Sequence, residues 1–469
     1  MTIVETEASP PTTEVTIAER VRDVRRCFDG GRTRSYEWRV RQLEGVIAMI
    51  DERKDEIHRA LHADLGKSDL EAHAAETNFV RNGAVHLKKM LRKWMKPEPV
   101  TTPLVTKPSR AMVVNEPLGV VLVIAPWNYP FHLSVAPLCA ALAAGNCAIV
   151  KPSEIAPATS ALLASLLPRY VDPQCVRVIE GAIPETTELL RERFDHIFYT
   201  GNGHVGRIIM RAAAEHLTPV TLELGGKSPC VVDRDADLDV VARRIAFGKF
   251  YNAGQTCVAP DYVLAHEEIY DALVQRLRQT VLDFYRGEPK NTPDFARIVS
   301  ERHFDRILAL LEGSEVVIGG ESDRSERYIA PTILGDVSPE AKVMQEEIFG
   351  PILPVLRTPS VEDAIAFING RDKPLALYVF SRNEAVNDRV IAATSSGAVV
   401  VNHVFLHMAV EELPFGGVGE SGIGAYHGRA GFDTFSHRKS VLVKGQRIDP
   451  SILYPPYDAT KEKWVKRLV

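Results

Sequence analysis

From residue 15 to residue 94 the apolar positions recur at a helical spacing, with a period near 3.6 residues. Arg26, Arg32, Arg34, Arg39 and Arg41 punctuate this stretch and read as a solvated face. The rhythm then changes. Residues 120–125 form a short apolar run of the kind that makes a buried strand. A Pro-bounded loop, 126–130, follows, and then a small-residue helix over 133–144 that Gly145 would cap. Segments 147–150, 176–179, 196–199 and 219–222 continue as strands with helices between them, the first helix over 158–167. Strand and helix alternating in this way predict a parallel sheet covered on both faces.

Gly225 and Gly226 interrupt the alternation, and a second series begins at strand 229–232. Helix 238–249, strand 262–265, a long helix over 267–284 and later strands at 352–356, 378–380 and 398–401 follow. The pattern predicts two α/β units meeting near Gly225. In such sheets ligands bind beyond the carboxyl ends of the strands, so the chemistry is expected in the cleft between the two units.

Composition narrows the function classes. A chain of 469 residues, at roughly 150 residues per domain, holds two to four domains or subdomains. With 45% apolar and 25% charged residues it has the balance of a soluble globular protein. The net charge of −5 argues against nucleic acid as a partner, which needs a basic footprint. No run approaches the roughly 18 apolar residues of a membrane span, so no membrane anchor is expected. Residues 1–13 are acidic and rich in Thr and Pro. They lack the basic start and apolar core of a signal peptide, read as a loose lead-in, and leave a cytoplasmic setting as the expectation. The cysteines are Cys27, Cys139, Cys147, Cys175, Cys230 and Cys257. None is spaced as C-x-x-C, so neither a metal site nor a disulfide framework is expected, and most read as small buried hydrophobes.

Two motifs mislead. Gly201, Gly203 and Gly206 spell G-x-G-x-x-G after a strand, with Glu223 about 20 residues on, as the dinucleotide fingerprint asks. That fingerprint belongs to the first strand–helix turn of a sheet, whereas this is about the fourth, and turn glycines account for it equally well. Gly226-Lys227-Ser228 resembles the end of a P-loop, but position 221, where the loop's first glycine must stand, is Thr221. Neither H-E-x-x-H nor G-x-S-x-G occurs, which removes the usual support for metalloprotease and hydrolase readings.

Four other motifs fall where a strand-end cleft would lie. Gly254-Gln255-Thr256-Cys257 sets a thiol in a polar, glycine-containing loop; an exposed thiol near helix termini can be activated as a thiolate, or it is an ordinary loop cysteine. Glu223 stands between Leu222 and Leu224, where desolvation would raise its pKa and suit it to general-base work; the alternative is a salt-bridged structural glutamate. Asn128, after the first strand, can donate to an oxyanion or simply serve a turn. Lys151 and Glu154, after the second, can hold ribose and phosphate or decorate a solvated helix start.

PWNYPF, KPSE, FYTGNGHVG, LELGGKSP, GQTCVAPDY, EEIFGPILP and PFGGVGESGIGAYHG occur in this order between residues 126 and 428, and the likeness they carry runs from about Val15 to Pro456. Together they resemble the aldehyde dehydrogenase superfamily. GQTCVAPDY and GAYHG are similar to its class 3 branch, which includes fatty, aromatic and coniferyl-aldehyde-type enzymes. The resemblance implies an α/β aldehyde dehydrogenase fold. Residues 1–96 and 117–225 would form a Rossmann-like cofactor domain, 226–415 an α/β catalytic domain, and 97–116 with 430–450 a small oligomerisation β-arm.

It also implies roles. Cys257 would be the nucleophile, Asn128 would hold the oxyanion with the Cys257 N–H, and Glu223 would activate the hydrolytic water. Lys151 and Glu154 match adenosine-ribose positions. Thr200, Gly201 and Gly206 match the pyrophosphate turn, Glu347 a nicotinamide-ribose ligand, and Phe349 a residue packed near the ring. The cofactor would be NAD or NADP and the product a carboxylic acid. Tyr129, Phe405, His407 and Met408 would line the substrate tunnel and favour medium- or long-chain aliphatic or aromatic aldehydes. A homodimer is implied. Two departures stand out: the turn after Thr200 reads Gly-Asn-Gly-His where relatives usually have Gly-Ser-Thr-Ala, which leaves the choice between NAD and NADP open, and no apolar tail follows at the C-terminus. The rival readings are a CoA-acylating aldehyde dehydrogenase and a non-catalytic binding protein on the same scaffold.

Overall fold

The computed structural model describes residues 15–468; the lead-in predicted at 1–13 lies outside them. The predicted helical stretch consists mainly of Ile17–Asp29, Tyr36–Leu65 and Asn78–Trp94. Thr16 and Glu19 form a capping box at the first and Ser35 caps the second, which satisfies N–H groups that a helix start leaves open. The 30-residue helix ends at Gly66, whose φ of +66° is the left-handed C-cap. Its face of Leu43, Val46, Met49, Ile57 and Leu61 is fully buried. It crosses the helix Pro157–Tyr170 so closely that a Cβ on Gly45 would lie 2.0 Å from the Tyr170 carbonyl oxygen.

One arginine departs from the solvated face expected of it. Arg39 is buried, and its guanidinium donates to the carbonyls of Thr33 and Ala143 at 3.3 and 3.2 Å. It thereby serves the carboxyl end of the helix His132–Ala144, where the last carbonyls lack helical partners. Burial lowers its pKa to about 10.

The first series of strands forms a six-stranded sheet in the spatial order Gly422–Ile423, Val220–Glu223, His196–Thr200, Val120–Ile124, Cys147–Lys151, Val176–Val178. All neighbours are parallel except the first pair, in which Gly422 lies opposite Glu223. The second series forms a seven-stranded sheet, ordered Glu315–Ile318, Thr332–Gly335, Ile352–Thr358, Tyr262–His266, Pro229–Val232, Ala376–Phe380, Ala398–Val401. Only its first strand is antiparallel. The alternation of apolar runs announced most of these strands. It did not announce the short edge strands at 315–318 and 422–423 or the interior strand Thr332–Gly335, nor the helices Glu301–Leu308, Val361–Asn369 and Glu384–Ala393. The long helix begins at Tyr270, three residues after the expected start.

A third sheet joins Glu98–Val100, Ser109–Pro117 and Ser436–Lys444, all antiparallel. Ser436–Lys444 is an edge strand with mostly exposed side chains, including Leu442 and Val443. The helix Gly428–Thr434 precedes it. Lys461 begins the basic stretch of a final helix, Ala459–Leu468, on which Trp464 is exposed. Among the described residues no helix is long and apolar enough to cross a membrane.

Candidate active site

The loop that carries Cys257 is built by unusual backbone. After the helix Leu238–Phe250 the chain passes through three left-handed residues, Asn252, Ala253 and Gly254, with φ of +51°, +50° and +76°. The first two carry a Cβ and cost about 1–2 kcal/mol each in that region. At the third, a Cβ would sit 2.2 Å from the Gly350 carbonyl oxygen. The surroundings hold this path in place. Asn252 N donates to Glu71 at 3.1 Å, and its side-chain amide donates to the carbonyls of Asn128 and Gln255 at 2.9 and 3.1 Å. Gln255 is fully buried; its amide donates to the carbonyls of Asn252 and Arg297, both at 3.0 Å, and its oxygen accepts from Val299 N at 2.9 Å.

Cys257 therefore stands half-buried on a braced loop, where its polar, glycine-containing setting read as an exposed one. Burial pushes its thiol up to about 12, and the carboxylates of Glu347 and Glu223 add to the shift. Burial thus favours the protonated thiol, the opposite direction from the low-pKa thiolate that an exposed loop would favour.

Glu223 ends its strand with both carboxylate oxygens buried and without a hydrogen-bond partner among the described residues. Burial alone pushes its pKa well above the usual carboxylate range, as its Leu222 and Leu224 neighbours imply. The salt-bridged alternative is set aside: no cation pairs with it among the described residues. Asn128 is buried and gives one amide hydrogen to the Gln255 carbonyl at 3.0 Å, leaving the second free. Tyr129 shares a 2.6 Å hydrogen bond with the Thr256 hydroxyl, so these two side chains flank the nucleophile loop from the first sheet.

Glu347 lies in space that only glycine leaves open: a Cβ on Gly225 would be 2.1 Å from its Oε2. Burial raises its pKa to about 8 and Asp261 adds to the rise, while the Gly226 N–H, Lys227 and Arg306 oppose it. Phe349, itself at φ +51°, meets Trp127 edge to face at 5.4 Å. Lys151 is buried at its strand end and pairs with the more exposed Glu154 at 2.8 Å. Thr200 Oγ1 is buried without a partner, and Gly201 N donates to the Glu223 carbonyl at 3.0 Å. Gly206 packs against Leu224, 3.2 Å from where its Cβ would be; its place is helix–sheet packing. Asn202 caps the helix Gly203–Ala214 and His204 projects exposed from its first turn.

The four tunnel candidates divide. Tyr129 adjoins the nucleophile loop, as above. Phe405 packs in an aromatic group with Phe247 and Tyr251, at 6.2 and 6.4 Å. His407 stacks on Phe415 at 6.0 Å with burial holding its ring neutral near pKa 4. Met408 is partly buried against the core.

Three residues of the N-terminal helices escaped the sequence reading. Lys67 is fully buried, pairs with Glu76 at 2.5 Å, and donates to the Asn128 carbonyl at 2.8 Å. Glu76 also accepts from His132 N at 2.8 Å. A π-helical turn, His73–Thr77, carries Glu76, a local device often found near functional sites. Burial drives the Lys67 pKa down and that of Glu76 up, and the contact between them opposes both shifts. Glu71 is the third, braced against Asn252 as described. In a helical sequence these charges look like any solvated pair, so no local signal separates them.

The donor set suits a nicotinamide dinucleotide. An orphaned Thr200 hydroxyl, an ammonium–carboxylate pair and the N-terminus of the helix Gly203–Ala214 converge beyond parallel strand ends, and a helix N-terminus favours phosphate.

Comparison with known proteins agrees. The aldehyde dehydrogenase family model matches residues 6–441. The mouse aldehyde dehydrogenase family 3 member A2 is 52% identical over 445 residues, 94% of this chain and 92% of that one. The rat dimeric NADP-preferring aldehyde dehydrogenase is also 52% identical over 445 residues, 94% and 98% of the two chains. A substrate-bound Staphylococcus aureus AldH superposes with a TM-score of 0.94 at 44% identity, covering 96% of this chain and 99% of that one. An NAD+ complex of a Mycobacterium tuberculosis aldehyde dehydrogenase gives 0.83 at 29%, covering 92% and 90%. With its sheets, its cleft and nearly its whole length in agreement, the chain belongs to the aldehyde dehydrogenase family, and the relatives sharing half its residues place it with the class 3 branch.

Proposed function

We propose that this protein oxidises aldehydes to carboxylic acids with NAD or NADP, through a thioester on Cys257. The observation that carries the reading is the pairing of a half-buried thiol with a nearby buried carboxyl, Glu223, that has no hydrogen-bond partner among the described residues. The half-buried Cys257 gives its thiol proton to solvent and its sulfur adds to the aldehyde carbon, making a thiohemiacetal. The free Asn128 amide hydrogen and the Cys257 N–H face the oxyanion; one such donor is worth about 10²–10³ in rate. Lys151, Glu154, Thr200, Gly201 and Glu347 would hold the dinucleotide, which when bound would act as the two-electron hydride acceptor. Glu223, in a dry setting that raises its basicity, takes a proton from the water that hydrolyses the thioester, and the Cys257 thiol is restored. Splitting the oxidation between two covalent steps is what a nucleophile contributes.

The aromatic and apolar Phe405 and Met408 support medium- or long-chain aliphatic or aromatic aldehydes. A pocket of this kind separates homologues by only about 1–3 kcal/mol per methylene. Residues 1–96 and 117–225 are assigned to cofactor binding, 226–415 to catalysis, and 97–116 with 430–450 to the arm. The exposed edge strand Ser436–Lys444 and a relative whose name includes "dimeric" support a homodimer. A cytoplasmic setting rests on composition.

The test is reduced-nicotinamide formation by the purified protein with a medium-chain and an aromatic aldehyde, each with NAD or NADP, without CoA. Cys257→Ala is expected to be silent. Glu223→Gln is expected to give a burst of about one equivalent per site and then stall, because acylation survives and hydrolysis does not. Turnover that appears only on adding CoA would replace this reading with the acylating one, and silence throughout with the binding-protein one.

A further inference from the structure

Three of the five cysteines outside the cleft meet at one point. Cys147 opens the strand Cys147–Lys151, and Cys175 immediately precedes the strand Val176–Val178. Those strands are parallel neighbours, with Ala148 opposite Val176 and Ala148 N bonded to the Cys175 carbonyl at 2.9 Å. Cys147 and Cys175 therefore stand side by side on one face. The helix Ile17–Asp29 packs over that face and brings Cys27 onto them. All three Sγ atoms lie within 4.8 Å of one another; Cys147 and Cys175 are fully buried and Cys27 is half-exposed. Sequence spacing hid this, because the three come from segments more than a hundred residues apart at the widest.

We propose that Cys27, Cys147 and Cys175 bind a soft divalent metal ion of the zinc class as three thiolates. Thiolate ligands select such ions. A metal–sulfur bond of about 2.3 Å sets sulfurs roughly 3.8–4.0 Å apart, so no pair need close by more than about 1 Å, within reach of a χ1 adjustment of the half-exposed Cys27. Binding exchanges three thiol protons for one ion and leaves a single negative charge. Arg32, paired with Asp172 at 2.6 Å, lies within electrostatic reach of both Cys27 and Cys175. Asp172 is occupied by Arg32, Trp38 Nε1 and Gln174 N, so the fourth position falls to water on the Cys27 side.

The site sits at the amino end of the strand whose carboxyl end carries Lys151, roughly 13 Å away at 3.3 Å per residue. The ion would staple the first helix to the sheet without entering the cleft. The site is independent of the dehydrogenase chemistry, so either reading can fail without the other.

The test uses the full chain, kept reduced, in a Cys257→Ala background that removes the cleft thiol as a competitor. Titration with Co2+ alone is expected to give a thiolate-to-cobalt charge-transfer band saturating at one ion per chain, displaced by Zn2+. Zn2+ is expected to raise the melting temperature of this protein. Cys27→Ser should abolish both effects while Cys139→Ala leaves them. Because Cys27 is half-exposed, its serine variant is expected to fold, with circular dichroism as the check, even where Cys147→Ser or Cys175→Ser do not. Absence of the band, or a band that survives Cys27→Ser, would overturn the proposal and leave the three thiols as packing.

Discussion

Replacing Lys67 by methionine keeps most of the unbranched side chain and removes its charged end. Glu76, fully buried, then faces no cation. Its cheapest escape is to take up a proton, which sets a ceiling on the cost. With an ordinary value of 4.5, protonation at pH 7 costs about 3.4 kcal/mol at 1.36 kcal/mol per pKa unit, and at pH 5 about 0.7 kcal/mol. The sign follows from proton counting: the folded variant holds a proton that its unfolded chain has lost, so its stability falls as pH rises above 4.5. The variant should therefore trail the wild type by most of that amount at pH 7 and recover on acidification. Lys67→Met/Glu76→Gln has no charge to orphan. It should regain at least half of the loss at pH 7 and show no such pH slope relative to wild type. Activity should separate from stability. Both variants lose one of the two donors to the Asn128 carbonyl, leaving only the Asn252 amide, and kcat should fall about 10- to 100-fold, since a 1 Å misplacement costs about 10². Urea midpoints followed by tryptophan fluorescence at pH 5 and 7, at one protein concentration, measure the stabilities. A deficit in Lys67→Met that is the same at both pH values, or a double variant no more stable than the single, would refute the reasoning.

Gly225→Ala drives a Cβ into the space of Glu347, so dinucleotide affinity should drop at least about 10-fold, read by quenching of protein fluorescence. Alkylation of Cys257 by iodoacetamide should accelerate steadily from pH 6 to 9 without a plateau, because the thiol is held near 12 and the thiolate is the reactive form; a plateau below pH 8 would mean the thiol is already activated. Glu347→Gln removes the larger of two opposing carboxylates and should speed that alkylation above about pH 8, where Glu347 is ionised. Leu442→Glu puts a charge on the exposed edge strand, and sedimentation should show a shift toward monomer while Cys257 alkylation is unchanged.

Local patterns in the sequence carried the central architecture. Apolar runs such as 120–125 and 147–150 need only their own composition to be strands, and the residues just beyond such runs, Asn128, Lys151, Thr200 and Glu223, follow from the rule that places sites at strand ends. The misses share a physical cause: burial imposed by distant partners. Arg39 looks solvated until the Ala143 carbonyl claims it. Lys67 looks like a helix-surface charge until Glu76 and Asn128 surround it. Cys257 sits in a polar loop by composition, but contacts from both lobes bury it. The two-residue strand Gly422–Ile423 exists only because Val220–Glu223 offers it an edge.

The brace around Cys257 has a mechanical meaning. Asn128, Glu71 and Tyr129 reach the loop from the side of the first sheet, and Arg297 and Val299 reach it from the second. A further backbone bond, Arg297 N to the Leu65 carbonyl at 2.7 Å, ties the same two sides together nearby. The nucleophile thus stands at the pivot of the molecule. If the lobes rock against each other, the opening and closing is greatest at the far mouth of the cleft and least at the sulfur. Cofactor exchange can then proceed by breathing at the rim while the distances that govern bond-making stay fixed.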